Sequence, residues 1–400
     1  MIDSPRPAVP FTTPVLTRPG DGALRVVIVG GGVAALEAAL CLRETAGELV
    51  STTIVAPNPE FVYTPMAVQE PFDRPLAPRY ELAEIARDAG AELCVDAFTW
   101  SDSEFFVAHT RGGEQLRYDA LLLAPGASVY SDLRYTITLV PHRIDEQMHG
   151  VLQDVEGRYI SRLAFVIPDG PVWPLPIYEL ALMTAARARD VSAELAVTIV
   201  TPEPAPLAIF GEAVSERVER LLDQAGIVTM TSTRSAVHGP GLIAMHPGNR
   251  EISADRVIAL PQLFGPRCPG IPARAGRGFI STDGQGRVPG LNRTWAVGDA
   301  TDFPIKFGGI AAHQADIAAQ SIAALAGADV VPEQFRPQLR AVLLTGEQPL
   351  RISAELGVEG PTRSEVVEAQ ASDQPPKIAA RYLASCLDRI DGARSAAAKY

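Results

Sequence analysis

Cysteine is scarce in this 400-residue chain, and its four copies, Cys41, Cys94, Cys268 and Cys386, stand far apart. None forms a Cys-x-x-Cys pair or sits at ligand spacing from another cysteine or a histidine. This excludes a disulfide framework and a zinc site, and the thiols read as reduced cytosolic ones. Basic clusters are missing too: 35 Lys and Arg face 47 Asp and Glu, for a net charge of −12. A nucleic-acid partner is therefore not expected, because phosphate binding needs concentrated positive charge. No apolar run approaches bilayer length, and the stretch Met1 to Gly22 lacks the basic and apolar regions of a signal peptide. A cytoplasmic protein is expected, attached at most to a membrane surface.

What is present is a large apolar fraction, 47%, in a chain long enough for two or three cores. The arm 1–22 carries Pro5, Pro7, Pro10, Pro14 and Pro19, a density that blocks helix and central strand alike. After it the run Leu24 to Val29 meets Gly30-Gly31-Gly32-Val33-Ala34-Ala35 and a helix-like stretch reaching about Thr45. This reads as strand, tight turn and helix. Small residues are needed at three places: Gly30 to turn sharply, Gly32 to let backbone approach a pyrophosphate, and Ala35 to pack helix on strand. The first turn of the helix would offer its N–H groups to the phosphates. The strand Thr52 to Ala56 follows, but the acidic residue that ordinarily holds the adenosine ribose is replaced by Ala56-Pro57. Asn58 and Glu60 lie just beyond, so the ribose ligand stays open.

Further on, Tyr80 to Ala89 reads as helix and Ala91 to Val95 as strand. A hairpin is expected around Arg111-Gly112-Gly113. A buried strand, Asp119 to Leu123, ends in Ala124-Pro125-Gly126, a turn suited to a chain passing a ligand or simply to ending a strand. A second βαβ unit has strands Leu163 to Ile167 and Leu195 to Val200 around a helix Ile177 to Ala188. Its connecting loop, Pro168 to Pro176, has one glycine and four prolines where a nicotinamide-binding unit has glycines. Proline removes the donors a phosphate needs, so this loop suits an NAD pyrophosphate poorly. Glu203 keeps a weakened NAD(P)H site open. Strand Trp295 to Val297 then leads to Gly298-Asp299, and Lys306-Phe307-Gly308-Gly309 opens a helix to about Ala326. The tail is expected to hold two hairpin strands, an acidic polar linker and a helix Lys377 to Ile390.

This order of motifs resembles the pyridine nucleotide-disulfide oxidoreductase-like flavoproteins with two dinucleotide-binding domains. The branch it most resembles holds the type II NADH dehydrogenases and sulfide:quinone oxidoreductases. The resemblance implies an α/β fold of two Rossmann-like domains, the second nested in the first, plus a small C-terminal tail domain. The boundaries are 23–150 and 263–328 for the FAD domain, 151–262 for the second domain and 329–400 for the tail. It also implies non-covalent FAD, with the pyrophosphate at Gly30, Gly32 and Ala35. Asn58 is the candidate contact near the open ribose position. Tyr63 and Pro65 match the segment that passes the isoalloxazine, or are core, and further contacts fall at Ala124, Pro125 and Gly126 (Pro for the family's Thr) and at Gly298 and Asp299. Lys306, with Gly308 and Gly309 opening the helix, becomes the cation near the flavin's pyrimidine end, or a solvated lysine on a loop. Glu179 becomes a carboxylate near its reactive edge, or a first-turn glutamate favoured by the helix dipole. His313, Gln314 and Gln320 are weaker candidates with structural alternatives.

Departures bear on the substrate. Sulfide oxidation needs redox cysteines beside the flavin, and none lies near Ala124 or ahead of Tyr178-Glu179; Cys41 reads as core. The leading expectation is an FAD-dependent oxidoreductase handing electrons from an unidentified small donor to a quinone or another small acceptor. Alternatives are a flavoenzyme for a dedicated metabolite, an NAD(P)H reductase with an atypical site, and a flavin-binding scaffold. The tail's apolar stripe (Ile378, Tyr382, Leu383, Cys386, Leu387, Ile390) fits packing on its own domain, a homodimer contact or, less favoured, a membrane surface.

Overall fold

The computed structural model describes residues 22–130, 134–357, 360–369 and 377–397; nearly all of the expected arm 1–22 lies outside them. Seven helices are described: α1 (Val33–Ala46), α2 (Leu82–Asp88), α3 (Ile144–Glu156), α4 (Leu175–Asp190), α5 (Glu212–Gln224), α6 (Gly308–Leu325) and α7 (Arg381–Ala397). The first strand, β1 (Leu24–Val29), is buried except at Arg25. It pairs in parallel with β2 (Val50–Ala56) on one side and Ala120–Leu123 on the other. Thr294–Ala296 and Glu92–Val95 complete a five-stranded parallel sheet. Strands buried on both faces need continuous apolar sequence, as Val26 to Val29 and Leu121 to Leu123 supply. Helices α1 and α6 lie together over one face, and alanines on both (Ala34, Ala35, Ala38 and Ala39 against Ala311, Ala315, Ala318 and Ala319) share its buried core.

A second five-stranded parallel sheet runs Ile137–Thr138, Arg256–Ala259, Arg162–Val166, Ala196–Val200, Val228–Met230. All its strands fall in sequence between the fourth and last strands of the first sheet, so the second unit is nested in the first. It recruits Ile137–Thr138 from ahead of the expected boundary at 151, through pairing with Ile258 and Ala259. The two units are bridged by a ribbon of Ser128–Tyr130 with Gln262–Phe264.

Several elements differ from the sequence reading. The expected helix from Tyr80 begins at Leu82, because Arg79–Glu81 pairs as a strand with Glu60–Val62. The hairpin around Gly112 has a third strand, Phe98–Asp102. The stretch read as an acidic linker contains Pro361–Glu368, the third strand of an antiparallel tail sheet; charged residues suit its exposed edge. The last helix starts at Arg381, not Lys377. Its first amides, Tyr382 N–H and Leu383 N–H, donate to the carboxylate of Glu37 in the middle of α1, at 2.9 and 2.6 Å. That is an N-cap supplied from another helix. The stripe Ile378, Leu383, Cys386, Leu387 and Ile390 is buried in the core under α1 and α6, so it is not available as a membrane-facing surface.

Candidate functional site

The carboxyl ends of the first sheet's strands meet at a cleft, where ligands bind in open α/β sheets. Two chambers open there. The outer one, about 1650 Å³, is lined by Gly30 to Val33, Ala56 to Asn58, Glu60, Pro125 to Tyr130 and the segment Phe264 to Gly278. The inner one, about 590 Å³, shares Gly31, Gly32, Val33, Thr64 and Pro125 to Ala127 with it and continues to Trp173, Glu179, Asp299, Lys306, Phe307, Gly308 and Lys377. The chambers join across the glycine turn.

Each glycine of that turn has its own reason. Gly30 has φ +127, and a Cβ there would lie 2.2 Å from the Ala124 carbonyl oxygen, so the two strand ends touch only because it is glycine. A Cβ at Gly31 would press on Leu82 at 2.8 Å. Gly32 has an ordinary extended backbone and nothing within 4 Å of its Cβ position. Its missing side chain is thus an opening, a cradle that any Cβ would begin to fill. No described side chain caps α1, which starts at this opening, so its first amides face the opening as donors for an anion. Ala35 lies behind the turn, wholly buried. The donor set and the opening fit the diphosphate of a dinucleotide such as FAD.

At the far strand end, Gly298 takes φ +70 and donates its N–H to Gln314 Oε1 at 2.8 Å. Asp299 is held above the usual carboxylate range by burial, partly offset by the charge of Lys306. Lys306 is 4% exposed. Its ammonium donates to the Thr301 carbonyl oxygen and sits 3.9 Å over the Phe279 ring. Desolvation brings it down to about 8 against the pull of Asp299 and Asp302. The expected flavin-side cation therefore stands in the chamber wall with its charge already engaged.

A second ammonium enters the chamber that sequence reasoning did not single out. Lys377 Nζ is 2.7 Å from Glu179 Oε1 and 3.0 Å from the Pro65 carbonyl oxygen. Glu179 Oε1 also accepts the Leu344 N–H at 3.0 Å. Both side chains are almost wholly buried. Burial pushes the Glu179 carboxyl up, with Lys377 the main opposing influence. Around the pair the chamber is apolar, with Val68, Leu139, Ile144, Val172, Leu260 and Val342, and Trp173 stacked on Phe307 at 4.3 Å.

Other expected residues fall differently. Pro65 and Gly308 line the inner chamber and Asn58 the outer one, whereas Tyr63 lines neither; its hydroxyl accepts the Ile378 N–H at 2.9 Å, and burial raises it to about 12. Gly308 and Gly309 are small for packing, since Cβ atoms there would lie 2.8 Å from Ile378 and Phe307. His313 leans on Phe335, and Gln320 bonds Glu333. Glu203 is engaged by Tyr178 Oη at 2.7 Å and Thr201 Oγ1 at 3.0 Å, and burial brings it to about 7. In the loop Pro168 to Pro176, the Arg277 guanidinium donates to the Asp169 carbonyl oxygen at 2.9 Å. It occupies the space where a Gly170 Cβ would be, at 2.5 Å. No cysteine lines the inner chamber among the described residues; Cys268 lines the outer one, and Cys41 is core. No described group of His, Cys, Asp or Glu could hold a metal ion.

Residues 24–138 match the family model described as pyridine nucleotide-disulphide oxidoreductase. Among solved structures, the chain is similar to a sulfide:quinone oxidoreductase from Aquifex aeolicus, with TM-score 0.76, 19% identity and 87% of each chain covered. It is also similar to a NAD-dependent persulfide reductase from A. fulgidus, with TM-score 0.61 and 17% identity, over 84% of this chain and 65% of that one. A ferredoxin reductase from Rhodopseudomonas palustris gives TM-score 0.59 and 20% identity over 83% of each chain. No curated protein sequence matches. The expected fold, two Rossmann-like units with one nested in the other, is the fold observed, and it is the fold of these oxidoreductases. No described helix is long and apolar enough to cross a membrane.

Proposed function

We propose that the chain is an FAD-dependent oxidoreductase that passes electrons from a small donor to a quinone or similar small apolar acceptor in the inner chamber. The observation that carries this reading is the buried Glu179–Lys377 pair, set among apolar side chains in a chamber whose wall also holds Asp299 and Lys306. A buried ion pair is weak evidence for stability, and a carboxyl with raised proton affinity beside a charge partner in a cleft is a candidate for chemistry. FAD, when bound, supplies two-electron redox chemistry that no side chain here can supply. The protein's part is to hold it and to manage charge. The α1 amides and the open Gly32 position would hold the diphosphate, and Asp299 would meet the hydroxyl-bearing middle of the cofactor. Ala124 to Gly126 and Pro65 would shape the passage between the chambers.

A quinone takes up protons as well as electrons when it is reduced. Glu179 would carry the proton at its carboxyl oxygens, with Lys377 Nζ orienting it, and Glu179's raised proton affinity favours that use. The chamber without cysteine speaks against sulfide as the donor, although a similar fold carries that chemistry in the Aquifex enzyme. The loop occupied by Arg277 speaks against NAD(P)H. A donor that is itself a small metabolite is left as the favoured reading.

The purified protein should show flavin absorption. Under anaerobic conditions sulfide, NADH and NADPH should bleach it slowly, and after chemical reduction a short-chain quinone should restore the colour rapidly. A colourless protein that takes up no FAD, or a reduced flavin that quinone leaves unoxidised, would overturn the reading.

A further inference from the structure

The segment from Gly265 to Gly278 is not part of either parallel sheet, yet it is fixed at both ends. At its neck Gly265 N–H donates to the Arg277 carbonyl oxygen at 2.8 Å, and a Cβ on Gly265 would fall 1.9 Å from the Gly278 carbonyl oxygen. At its outer end Ser101 N–H donates to the Pro269 carbonyl oxygen at 3.2 Å. A Cβ on Gly270 would fall 2.2 Å from the Ser101 carbonyl oxygen. That outer end is a turn closed by Ile271 N–H to the Cys268 carbonyl oxygen. The segment thus reaches from the interdomain ribbon to the three-stranded sheet of residues 98–117, and along that course it forms wall of the outer chamber.

Three described residues lining that chamber can carry positive charge: His142, Arg267 and Arg277. Arg277 is committed. Its guanidinium bonds the Asp169 and Leu263 carbonyl oxygens and lies 5.5 Å over the Phe264 ring. Arg267, between Pro266 and Pro269, has no ion pair or hydrogen bond to any described side chain. Meanwhile β2 ends in Ala56, without the carboxylate that would grip a ribose, and Glu60 is turned to Arg79 at 3.6 Å. A dinucleotide in this chamber needs an anchor from another quarter.

We propose that residues 265–278 form a strap over the adenosine diphosphate half of the cofactor and that Arg267 is the cation binding its phosphates, working with the neutral amides of α1. This rests on the FAD reading given above. The planar guanidinium can meet a phosphate through parallel hydrogen bonds, and the flanking prolines restrict the backbone that presents it. Arg277 acts as the lock that ties the strap to the loop 168–176.

The test is flavin binding, not turnover. The full chain, freed of flavin, is titrated with FAD, with FMN and with riboflavin, following quenching of flavin fluorescence at low and high salt. Arg267→Ala should weaken FAD roughly 10- to 100-fold, the range for a charge-assisted hydrogen bond. It should leave riboflavin, which has no phosphate, within about threefold and flatten the salt dependence of FAD binding. Arg267→Lys should restore part of the loss. If Arg267→Ala binds FAD as the unaltered chain does, or loses FAD and riboflavin equally, the strap proposal fails while the FAD reading stands. An unaltered chain that binds none of the three flavins fails both.

Discussion

Gly32→Val separates cofactor binding from folding more cleanly than any other change at the turn. The residue caps α1 with φ −96 and ψ −174, a conformation open to every amino acid, and no atom lies within 4 Å of the Cβ position. Replacing glycine by valine at an N-cap costs about 1 kcal/mol at most. In a chain of this size that moves the melting temperature by no more than a few degrees. The isopropyl group enters the space shared by the two chambers and keeps a phosphate from the first amides of α1. Losing two charge-assisted hydrogen bonds at about 1.5 kcal/mol each amounts to about 3 kcal/mol, more than a 100-fold loss of FAD affinity. Gly30→Ala makes the contrast. Its Cβ would meet the Ala124 carbonyl oxygen in a left-handed backbone, so it should damage the fold itself. The assay pairs the flavin-to-protein absorbance ratio of the purified variant with a melt followed by circular dichroism. Full flavin content in Gly32→Val would refute the cradle, and a melt ten or more degrees early would refute the claim that the Cβ has room.

Three further outcomes are expected. Lys377→Met, which strands the Glu179 carboxylate in an apolar wall, should destabilise the chain by about 3–5 kcal/mol in urea unfolding; the double variant with Glu179→Gln should recover most of that, and equal losses in both would refute the pairing. NADH and NADPH should reduce the flavin poorly because Arg277 and the prolines occupy the loop 168–176, and rapid anaerobic bleaching at micromolar NADH would overturn this. Burial and then the neighbouring Glu37 raise Asp316 to about 8. A folded-state value above the unfolded one gives stability that is complete below the unfolded value near 4 and is lost as pH rises through about 8. Melting temperature should therefore fall from pH 5 to 9, and Asp316→Asn should flatten the decline; an unchanged profile would refute the assignment.

The first sheet and its turn were legible because their signals are local: Val26 to Val29, Gly30 to Gly32 and Leu121 to Ala124 each carry their meaning within a few residues. The chambers were not, because their walls join positions far apart in sequence. Lys377 reads as one cation in an amphipathic stretch, and nothing nearby in sequence says that it meets Glu179, 198 positions away. Arg277 and Gly170 form another such pair; only the fold brings a guanidinium into the place of a missing side chain. Tyr63 reads two ways in sequence, as a ring passing the flavin or as a core aromatic near a proline; its hydroxyl accepts the Ile378 amide N–H and it lines neither chamber. Glu37 gave no signal at all, being a charged residue inside an alanine-rich helix whose purpose appears only when α7 is docked.

The docking of α7 also ties the tail to the helix that follows the glycine turn. Glu37 belongs to the helix whose first turn opens beside Gly32, and its carboxylate receives the first amides of α7. Just ahead of α7, Ile378 packs where Gly308 has no side chain, at the start of the helix that borders the inner chamber, and its amide is held by Tyr63. Those contacts fix the position of Lys377, the residue before, against Glu179 and Pro65. The tail is therefore part of the chamber wall, not an appendage, and its apolar stripe is buried in making it so. It follows that loosening the Glu37 cap should act at the Glu179 end of the chamber while leaving the cradle at Gly32 intact. Any surface through which the protein meets a membrane or a second copy must then lie elsewhere than on the buried face of α7.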